Sequence, residues 1–195
     1  MVNGDITRTR ALFCDLLNLP RGKYLLPSVA GSGKVGFARG AFAVSFDRDL
    51  LEVPGCGFYD GLPDMELVLD EERRKSWQSK TEIALGDLQV DNQPFGLCAR
   101  SQLKRTVVEW NNIGLSPKIG LETEAYLFQK DGDGVWRPYD TPGAFVYGTG
   151  PSNDPSGVMD EIWEMANHCD IPIESMNGEF DNGQFELTLK FDDPI

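Results

Sequence analysis

Residues Lys118–Phe128 (KIGLETEAYLF) alternate between two sets of side chains, which is the period of a β-strand with two different faces. One face would carry Ile119, Leu121, Ala125 and Leu127, and the other Glu122, Glu124, Tyr126 and Phe128. Because apolar residues surround both glutamates, we expect this strand to be well buried. Burying two like charges side by side is costly unless a cation neutralises them. The alternative is an edge strand with its acidic face in water.

A second group of carboxylates lies in residues 174–186 (ESMNGEFDNGQFE). A strand that begins at Gln184 is predicted to place its apolar residues on one face and Glu186 on the other. Glu179 precedes a glycine-containing turn that can bring it back beside Glu186. Oxygen ligands without His or Cys suit Mg²⁺ or Mn²⁺ rather than zinc or copper. Such ions usually act on phosphate substrates.

The acidic residues are concentrated in one part of the chain. Residues 1–110 hold 14 basic and 15 acidic side chains, whereas residues 111–195 hold 4 and 16, so nearly all of the net charge of −13 lies in the second part. A composition of 41% hydrophobic residues is sufficient for a packed core and excludes a disordered acidic chain. There is no basic stripe of the kind that binds nucleic acid, and no apolar stretch long enough to cross a membrane. We therefore expect a soluble, cytoplasmic protein with no nucleic-acid or membrane partner.

Three motifs of apparent functional interest have a simpler structural interpretation. Gly31–Lys34 lacks the first glycine and the final Ser or Thr of a phosphate-binding loop, so a hairpin turn is favoured. Asp131–Gly134 lacks the later ligands of a calcium loop and is interpreted as a tight turn. His168 is the only histidine, and a position at a helix end is expected.

The cysteines contain no CxxC pair. In a cytoplasmic chain of this length they are most simply reduced, buried and small apolar side chains. These four residues are Cys14, Cys56, Cys98 and Cys169.

The order of elements predicts an α+β fold in which a small β-rich part comes first, with a boundary near residues 95–100. Strands are expected at Arg8–Leu17 and Met65–Leu69, with a hairpin at Val35–Phe46. Helices are expected at Ser101–Asn112 and from Ser152–Asp154, the second with a buried stripe of Met159, Ile162, Trp163 and Ala166. Further strands are expected at Ile171–Ile173 and Gln184–Phe191.

The two acidic segments together resemble a known family. The order G-x-E-x-E-x-Y-L-F, a helix, then E-x(4)-E-x(3)-G-Q-F-E is similar to that of the glutamine synthetase superfamily, especially the branch that includes bacterial γ-glutamyl-amine ligases. Residues Arg10–Pro27 resemble the first strand and turn of the family's β-grasp domain. The resemblance implies a β-grasp-like domain at residues 1–97 and the first part of a catalytic α+β domain at residues 98–195.

The resemblance also implies roles for individual carboxylates. Glu124, Glu179 and Glu186 match three glutamates that hold a divalent ion near the substrate glutamate. Glu122 matches a ligand of a second ion on the nucleotide phosphates, and Glu174 matches a glutamate on the nucleotide side. The implied reaction uses ATP and Mg²⁺ or Mn²⁺: the γ-carboxylate of glutamate is phosphorylated, and ammonia or a small amine attacks the γ-glutamyl phosphate. No other catalytic residue is assigned, and a ring-shaped homo-oligomer is implied.

The chain departs from the family pattern in three respects. Asn177 and Gly178 stand where ammonia-using enzymes commonly carry His, so the nitrogen donor stays open between ammonia and an amine. Asp47 and Asp64 are the candidates for an aspartate that reaches a neighbouring subunit. Family members are more than twice as long as 195 residues, so we expect this polypeptide alone to be incomplete and inactive.

Two alternatives to a ligase stay open at this point. One is a non-catalytic relative that keeps the fold for assembly, which would be expected to lose the metal carboxylates. The other is an acidic α+β binding module whose glutamates form a solvated face.

Overall fold

The computed structural model describes residues 6–195, which divide into two compact units of mixed α and β structure. The first unit ends at Pro117, and the second is Lys118–Pro194. The domain boundary predicted between residues 97 and 98 stays a prediction, because a compact unit can include the first helix of a domain that follows it.

The first unit is built on a mixed six-stranded sheet. Its strands are β1 (Arg8–Cys14), β2 (Pro20–Leu25), β3 (Lys34–Ala38), β4 (Asp64–Ser76), β5 (Thr81–Val90) and β6 (Gln93–Pro94), and its helices are α1 (Pro27–Ala30) and α2 (Ala99–Asn112). The strand order is β2-β1-β5-β4-β3, with β6 paired to β5. The central pair β1 and β5 is parallel, and the other pairs are antiparallel.

One face of this sheet forms the core of the first unit. Alternation along the strands brings together apolar side chains that are at most 9% exposed: Ala11, Phe13, Val35, Phe37, Met65, Leu67, Leu69, Ala84 and Leu88. The ring of Phe13 packs edge-on against that of Phe37, with centroids 5.1 Å apart. Strands at the predicted positions Arg8–Leu17 and Met65–Leu69 are confirmed, the first shorter and the second longer than expected.

The hairpin predicted at Val35–Phe46 is wrong. Strand β3 ends at Ala38, a short 3₁₀ helix follows at Arg39–Phe42, and β3 pairs with β4 instead. Gly40 is buried, and a Cβ there would lie 3.2 Å from the Leu50 side chain. The segment after Ala38 therefore packs closely against the following loop instead of continuing as a strand.

Helix α2 is held to the sheet through its first turns by charged groups. The Arg100 guanidinium donates to Asp70 Oδ2 at 2.6 Å and to Asp87 Oδ1 at 2.8 Å, and Lys104 also pairs with Asp87. No residue of the helix is buried. Ion pairs to β4 and β5 therefore fix the start of the helix, and Trp110 near its end is 46% exposed.

Asp15 organises the turn between β1 and β2. Its carboxylate is buried and accepts hydrogen bonds from the backbone N–H groups of Leu17 and Leu19, both at 2.9 Å, and from Arg21 Nε at 2.7 Å. Burial opposes ionisation, but these three donors outweigh it and hold the pKa of Asp15 below its ordinary value. Asp15 is thus a structural carboxylate that stabilises the turn when it is charged.

Replacing Asp15 by Asn is expected to lower the free energy of unfolding at pH 7 by about 2 kcal/mol, because hydrogen bonds to a charged group are lost. A pKa that is lower in the folded state contributes stability above the unfolded pKa of about 4, and loses it as the pH falls through the folded pKa. The deficit of the variant should therefore shrink when urea unfolding is repeated below pH 4. Asp64→Asn, at an exposed position of the same unit, is the control and should cost little at either pH.

The second unit contains two antiparallel sheets and a helix. Its elements are β7 (Glu122–Tyr126), β8 (Phe128–Lys130), β9 (Trp136–Pro138), α3 (Val158–His168), β10 (Ile173–Gly178) and β11 (Gln184–Leu189). Strands β10, β11 and β7 form one sheet in that order, and β8 pairs with β9. The predicted strands at residues 118–128 and 184–191 are found with shifted ends, whereas of the strand predicted at residues 171–173 only Ile173 lies in a strand, β10.

Helix α3 begins later than predicted because the preceding residues form a polar turn. Asp154 is buried and accepts hydrogen bonds from the Tyr139 hydroxyl at 2.9 Å and from the backbone N–H of Met159 at 2.7 Å. The Asp154 carboxylate therefore caps the first turn of α3 although Asp154 itself precedes the helix, and residues 152–157 are not helical. In the predicted stripe only Ala166 is buried, and Trp163 is 36% exposed.

The remaining sequence predictions have mixed outcomes. None of the four cysteines forms a disulfide. Cys56, Cys98 and Cys169 are buried, but Cys14 is exposed because it ends β1 beside the turn. Gly31–Lys34 joins α1 to β3 and is not a hairpin turn. Asp131–Gly134 is the tight β8–β9 turn, and His168 is the last residue of α3.

Among the helices of residues 6–195, none has the length and apolar composition needed to cross a membrane.

Candidate functional site

The candidate glutamates lie in two rows across the sheet of β10, β11 and β7. Glu124 is the direct cross-strand partner of Glu186, whose partner on the other side is Asn177. Glu122 occupies the next row, opposite Thr188. Directly opposed residues in antiparallel strands point to the same side, with Cα atoms about 4.5–5.5 Å apart. Glu122, Glu124 and Glu186 therefore share one face, which we call the carboxylate face.

Glu179 joins this face from the turn between β10 and β11. Its backbone N–H donates to the carbonyl of Gln184 at 2.9 Å, which continues the pairing one residue beyond β10. Its carboxylate accepts a hydrogen bond from Asn177 Nδ2 at 3.0 Å, and Asn177 stands in the row of Glu186. The turn thus returns Glu179 to the neighbourhood of Glu186, as the sequence predicted.

Neutral side chains on the same face orient the carboxylates. Gln184 Nε2 donates to Glu124 Oε2 at 2.6 Å, and Thr188 Oγ1 donates to Glu186 Oε1 at 3.0 Å. Gln184 and Thr188 were missed by reasoning from the sequence, which noted Asn177 only as a departure from the family pattern. The sequence did contain a signal for Gln184 and Thr188, because each lies two residues from Glu186 and therefore on the same face of its strand.

The expectation that the first acidic strand is well buried is wrong. Glu122 and Glu124 are exposed, and the apolar Leu121 beside them is 57% exposed. The reason is that β7 is the last strand of its sheet and pairs only with β11 among the described residues. The edge-strand alternative therefore describes the position of β7, and these carboxylates bear little desolvation cost.

The four glutamates of this face have no ion-pair partner among the described residues, unlike several acidic residues elsewhere in the chain. No Lys or Arg of the described residues forms an ion pair with Glu122, Glu124, Glu179 or Glu186. By contrast, Asp15, Asp70 and Asp87 are each paired with Arg or Lys. Like charges directly opposite each other across strands are destabilising, so the face carries an unfavourable charge arrangement that a bound cation would relieve.

The donor set fits a divalent ion chemically, although the side chains do not yet enclose one. Carboxylate oxygens are the ligands that Mg²⁺ and Mn²⁺ prefer. Within residues 6–195, no three His, Cys, Asp or Glu side chains converge closely enough to hold a metal ion. Glu124 and Glu186 are instead held by Gln184 and Thr188. The glutamate side chains would have to rotate for their oxygens to come together around an ion.

The other predicted residues lie outside these rows. Glu174 is exposed and sits at the β-bulge near the start of β10, one residue before Ser175, the partner of Thr188. Asp47 and Asp64 are exposed residues of the first unit. The structure thus groups the four predicted metal ligands on one face of the second unit. Glu174 lies near the start of β10, at the opposite end of that strand from Glu179.

An aromatic cluster adjoins the carboxylate face at the end of β7. The Tyr126 hydroxyl donates to Asp181 Oδ2 at 2.9 Å, and this hydrogen bond to a carboxylate raises the pKa of Tyr126. Tyr126 and Asp181 line a shallow cleft together with Phe128 and Phe180. The side chains of these two phenylalanines are 54% and 82% exposed.

Comparison with known proteins identifies relatives of this chain. The family model described as glutamine synthetase, catalytic domain, matches residues 96–195. The glutamine synthetase of Rhizobium leguminosarum bv. phaseoli is 28% identical, covering 94% of this chain and 40% of the relative. The gamma-glutamylputrescine synthetase of Escherichia coli K12 is 28% identical, covering 94% of this chain and 42% of the relative.

A solved structure supports the same fold. The structure of a GmaS/ADP complex superposes with a TM-score of 0.75 at 22% identity, covering 97% of this chain and 42% of that chain. This chain therefore spans about two fifths of the length of the relatives it matches.

Proposed function

The chain belongs to the glutamine synthetase family, and from that premise we propose that it is part of an ATP-dependent ligase. The ligase forms a γ-glutamyl amide from glutamate and ammonia or a small amine, through γ-glutamyl phosphate. Relatives named for ammonia-derived and amine-derived products are equally similar to the chain. The observation that carries the proposal is the direct pairing of Glu124 with Glu186 on a face that also receives Glu122 and Glu179.

Each carboxylate has a proposed part in binding. Glu124, Glu179 and Glu186 would hold one Mg²⁺ or Mn²⁺ near the substrate glutamate, and Glu122 would contribute to a second ion near the nucleotide phosphates. Such ions, when bound, offset negative charge on a transferring phosphoryl group. Glu174 is proposed to contact ATP on the nucleotide side. Asn177, Gln184 and Thr188 orient the glutamate side chains through the hydrogen bonds described above.

The finer architecture is proposed on the same basis. We propose that residues 1–97 are a β-grasp-like domain, which the parallel central pair β1 and β5 and the flanking antiparallel strands support. Residues 98–195 are proposed to be the first part of the catalytic domain, in agreement with a family match that begins at residue 96. A cytoplasmic location and assembly into a homo-oligomeric ring are proposed from the family.

The proposed reaction is tested in protein expressed from the complete reading frame that contains this chain. With ATP, Mg²⁺ and glutamate, ADP release is expected only when ammonia or an amine is added, and each ADP should be matched by one γ-glutamyl amide. Chromatography and mass spectrometry measure both products. ADP release that does not depend on glutamate, or amide formation without ATP, would contradict the proposal.

A further inference from the structure

The sequence contains three Asn-Gly pairs, and two of them lie in the β10–β11 hairpin that carries part of the carboxylate face. These are Asn177–Gly178 at the end of β10 and Asn182–Gly183 in the β10–β11 turn, whereas Asn3–Gly4 lies outside the described residues. Asparagine before glycine is chemically labile, because glycine has no Cβ to keep its backbone nitrogen away from the asparagine side chain. Both pairs share this local chemistry, so the fold decides which of them can react.

The reaction is a hydrolysis that passes through a cyclic imide. The backbone nitrogen of the glycine loses its proton and attacks Cγ of the asparagine, so that a C–N bond forms and the side-chain nitrogen takes up a proton and leaves as ammonia. Water then opens the imide at either carbonyl and gives aspartate or isoaspartate. The net change converts an amide and water into a carboxylic acid and ammonia. The attack requires a backbone N–H that is free of hydrogen bonds and a side-chain amide that can turn toward it.

The fold blocks this reaction at Asn177–Gly178. Asn177 Nδ2 donates to Glu179 Oε1 at 3.0 Å and to the carbonyl of Gly178 at 3.2 Å. Gly178 is buried, and its N–H donates to the carbonyl of Gly148 at 3.1 Å. Both reacting groups are therefore held, and their hydrogen bonds have to open before the imide can form.

The same two groups are free at Asn182–Gly183. Asn182 is exposed, and in the part of the chain that the structure describes neither its side chain nor the N–H of Gly183 forms a hydrogen bond. The turn explains this, because the N–H of Gln184 donates to the carbonyl of Asp181 at 3.0 Å and leaves the two middle residues outside its hydrogen bond. The nitrogen of Gly183 is thus open to attack on the neighbouring amide.

We propose that Asn182 is a site of spontaneous deamidation in the folded chain, and that its isoaspartyl product loosens the β10–β11 turn. Isoaspartate routes the main chain through Cβ and Cγ, so the segment between Asp181 and Gln184 gains one carbon atom. The longer segment disturbs the hydrogen bond that closes the turn and the 2.7 Å bond from the Leu127 N–H to the carbonyl of Gly183. This modification goes beyond the proposed ligase reaction and does not depend on it.

The reaction is followed in mildly alkaline buffer made with H₂¹⁸O, since the new carboxylate then carries one heavy oxygen that peptide mapping by mass spectrometry detects. In the folded chain, Asn182 is expected to react at least about tenfold faster than Asn177, where hydrogen bonds have to open first. In urea that unfolds the chain, the two sites should react at similar rates, because the fold no longer distinguishes them.

The control is Asn182→Ser, which removes the side-chain amide and should abolish labelling at this position without changing the rate at Asn177. In the aged ¹⁵N-labelled wild type, the amide resonances of Gln184 and Leu127 should shift, whereas that of Asp131 in the β8–β9 turn should not. Aged Asn182→Ser should show no shift.

Three results would overturn the proposal. They are equal rates at Asn177 and Asn182 in the folded chain, reaction at Asn182 in urea only, and an isoaspartyl product whose Gln184 resonance is unmoved.

Discussion

Mn²⁺ is expected to stabilise this chain against urea unfolding, by about 2.7 kcal/mol when the free ion reaches a hundred times its dissociation constant. The reason is that the carboxylates of Glu122, Glu124, Glu179 and Glu186 come together only in the folded chain. Glu124 and Glu186 lie directly opposite each other in the row, and a divalent ion would replace their repulsion with attraction. The measurement is a pair of urea titrations, with and without the ion, followed by circular dichroism.

The double variant Glu124→Gln/Glu186→Gln separates a metal site from a solvated acidic face. It should lose at least about a hundredfold in Mn²⁺ affinity, since mutation of even the outer partners of a metal site costs 10–100-fold. Without metal it should be more stable than the wild type by up to about 1 kcal/mol, because opposed like charges are removed. Electron paramagnetic resonance of free Mn²⁺ gives the affinities directly.

A matched control for this experiment is available on α3. Glu164→Gln changes the same kind of side chain at an exposed position of the second unit and should leave Mn²⁺ binding unchanged. Equal and negligible binding by the wild type and the double variant would refute the metal site and favour an acidic binding module. A non-catalytic relative would be expected to lose these carboxylates, and the chain has all four.

The sequence was informative about this site where chemistry depends on local spacing. Glu122, Glu124, Glu179 and Glu186 were chosen from period-two alternation and a glycine turn, and from the family resemblance that these patterns carry. Strand geometry alone places Glu122 and Glu124 on one face, whereas Glu186 and Glu179 reach that face through the pairing of β11 with β7 and β10. Burial could not be obtained in the same way, since exposure of β7 depends on which strands lie beside it.

Long-range pairing explains why parts of the first unit were missed. Strand β1 pairs in parallel with β5, so that Ala11 lies opposite Ala84. Nothing in the residues near Ala11 identifies a partner so distant in the chain, and β5 was not predicted. The false hairpin at Val35–Phe46 has the same origin, because β3 pairs with β4 rather than with the residues that follow it.

Gly183→Ala is expected to destabilise the chain by about 3 kcal/mol and to weaken Mn²⁺ binding on the carboxylate face. Gly183 has φ +75°, where an alanine costs about 1 kcal/mol. A Cβ there would also lie 2.6 Å from the carbonyl oxygen of Leu127 and 2.9 Å from the backbone nitrogen of Tyr139. These are backbone atoms that cannot rotate away, so the turn has to move, and such overpacking costs about 1–3 kcal/mol more.

Gly134 provides a matched control in the β8–β9 turn. It has φ +80°, but a Cβ there would meet nothing within 4 Å. Gly134→Ala should therefore lose only about 1 kcal/mol, with Mn²⁺ affinity unchanged. The difference between the two variants in the free energy of unfolding, measured with urea, isolates the cost of placing a Cβ against the backbone atoms around Gly183. Equal losses in the two variants would contradict a tightly packed turn. A larger loss at Gly183, with weaker Mn²⁺ binding, would show that the glycine of the G-Q-F-E motif keeps Glu179 and Glu186 on one face by letting the turn pack against Leu127.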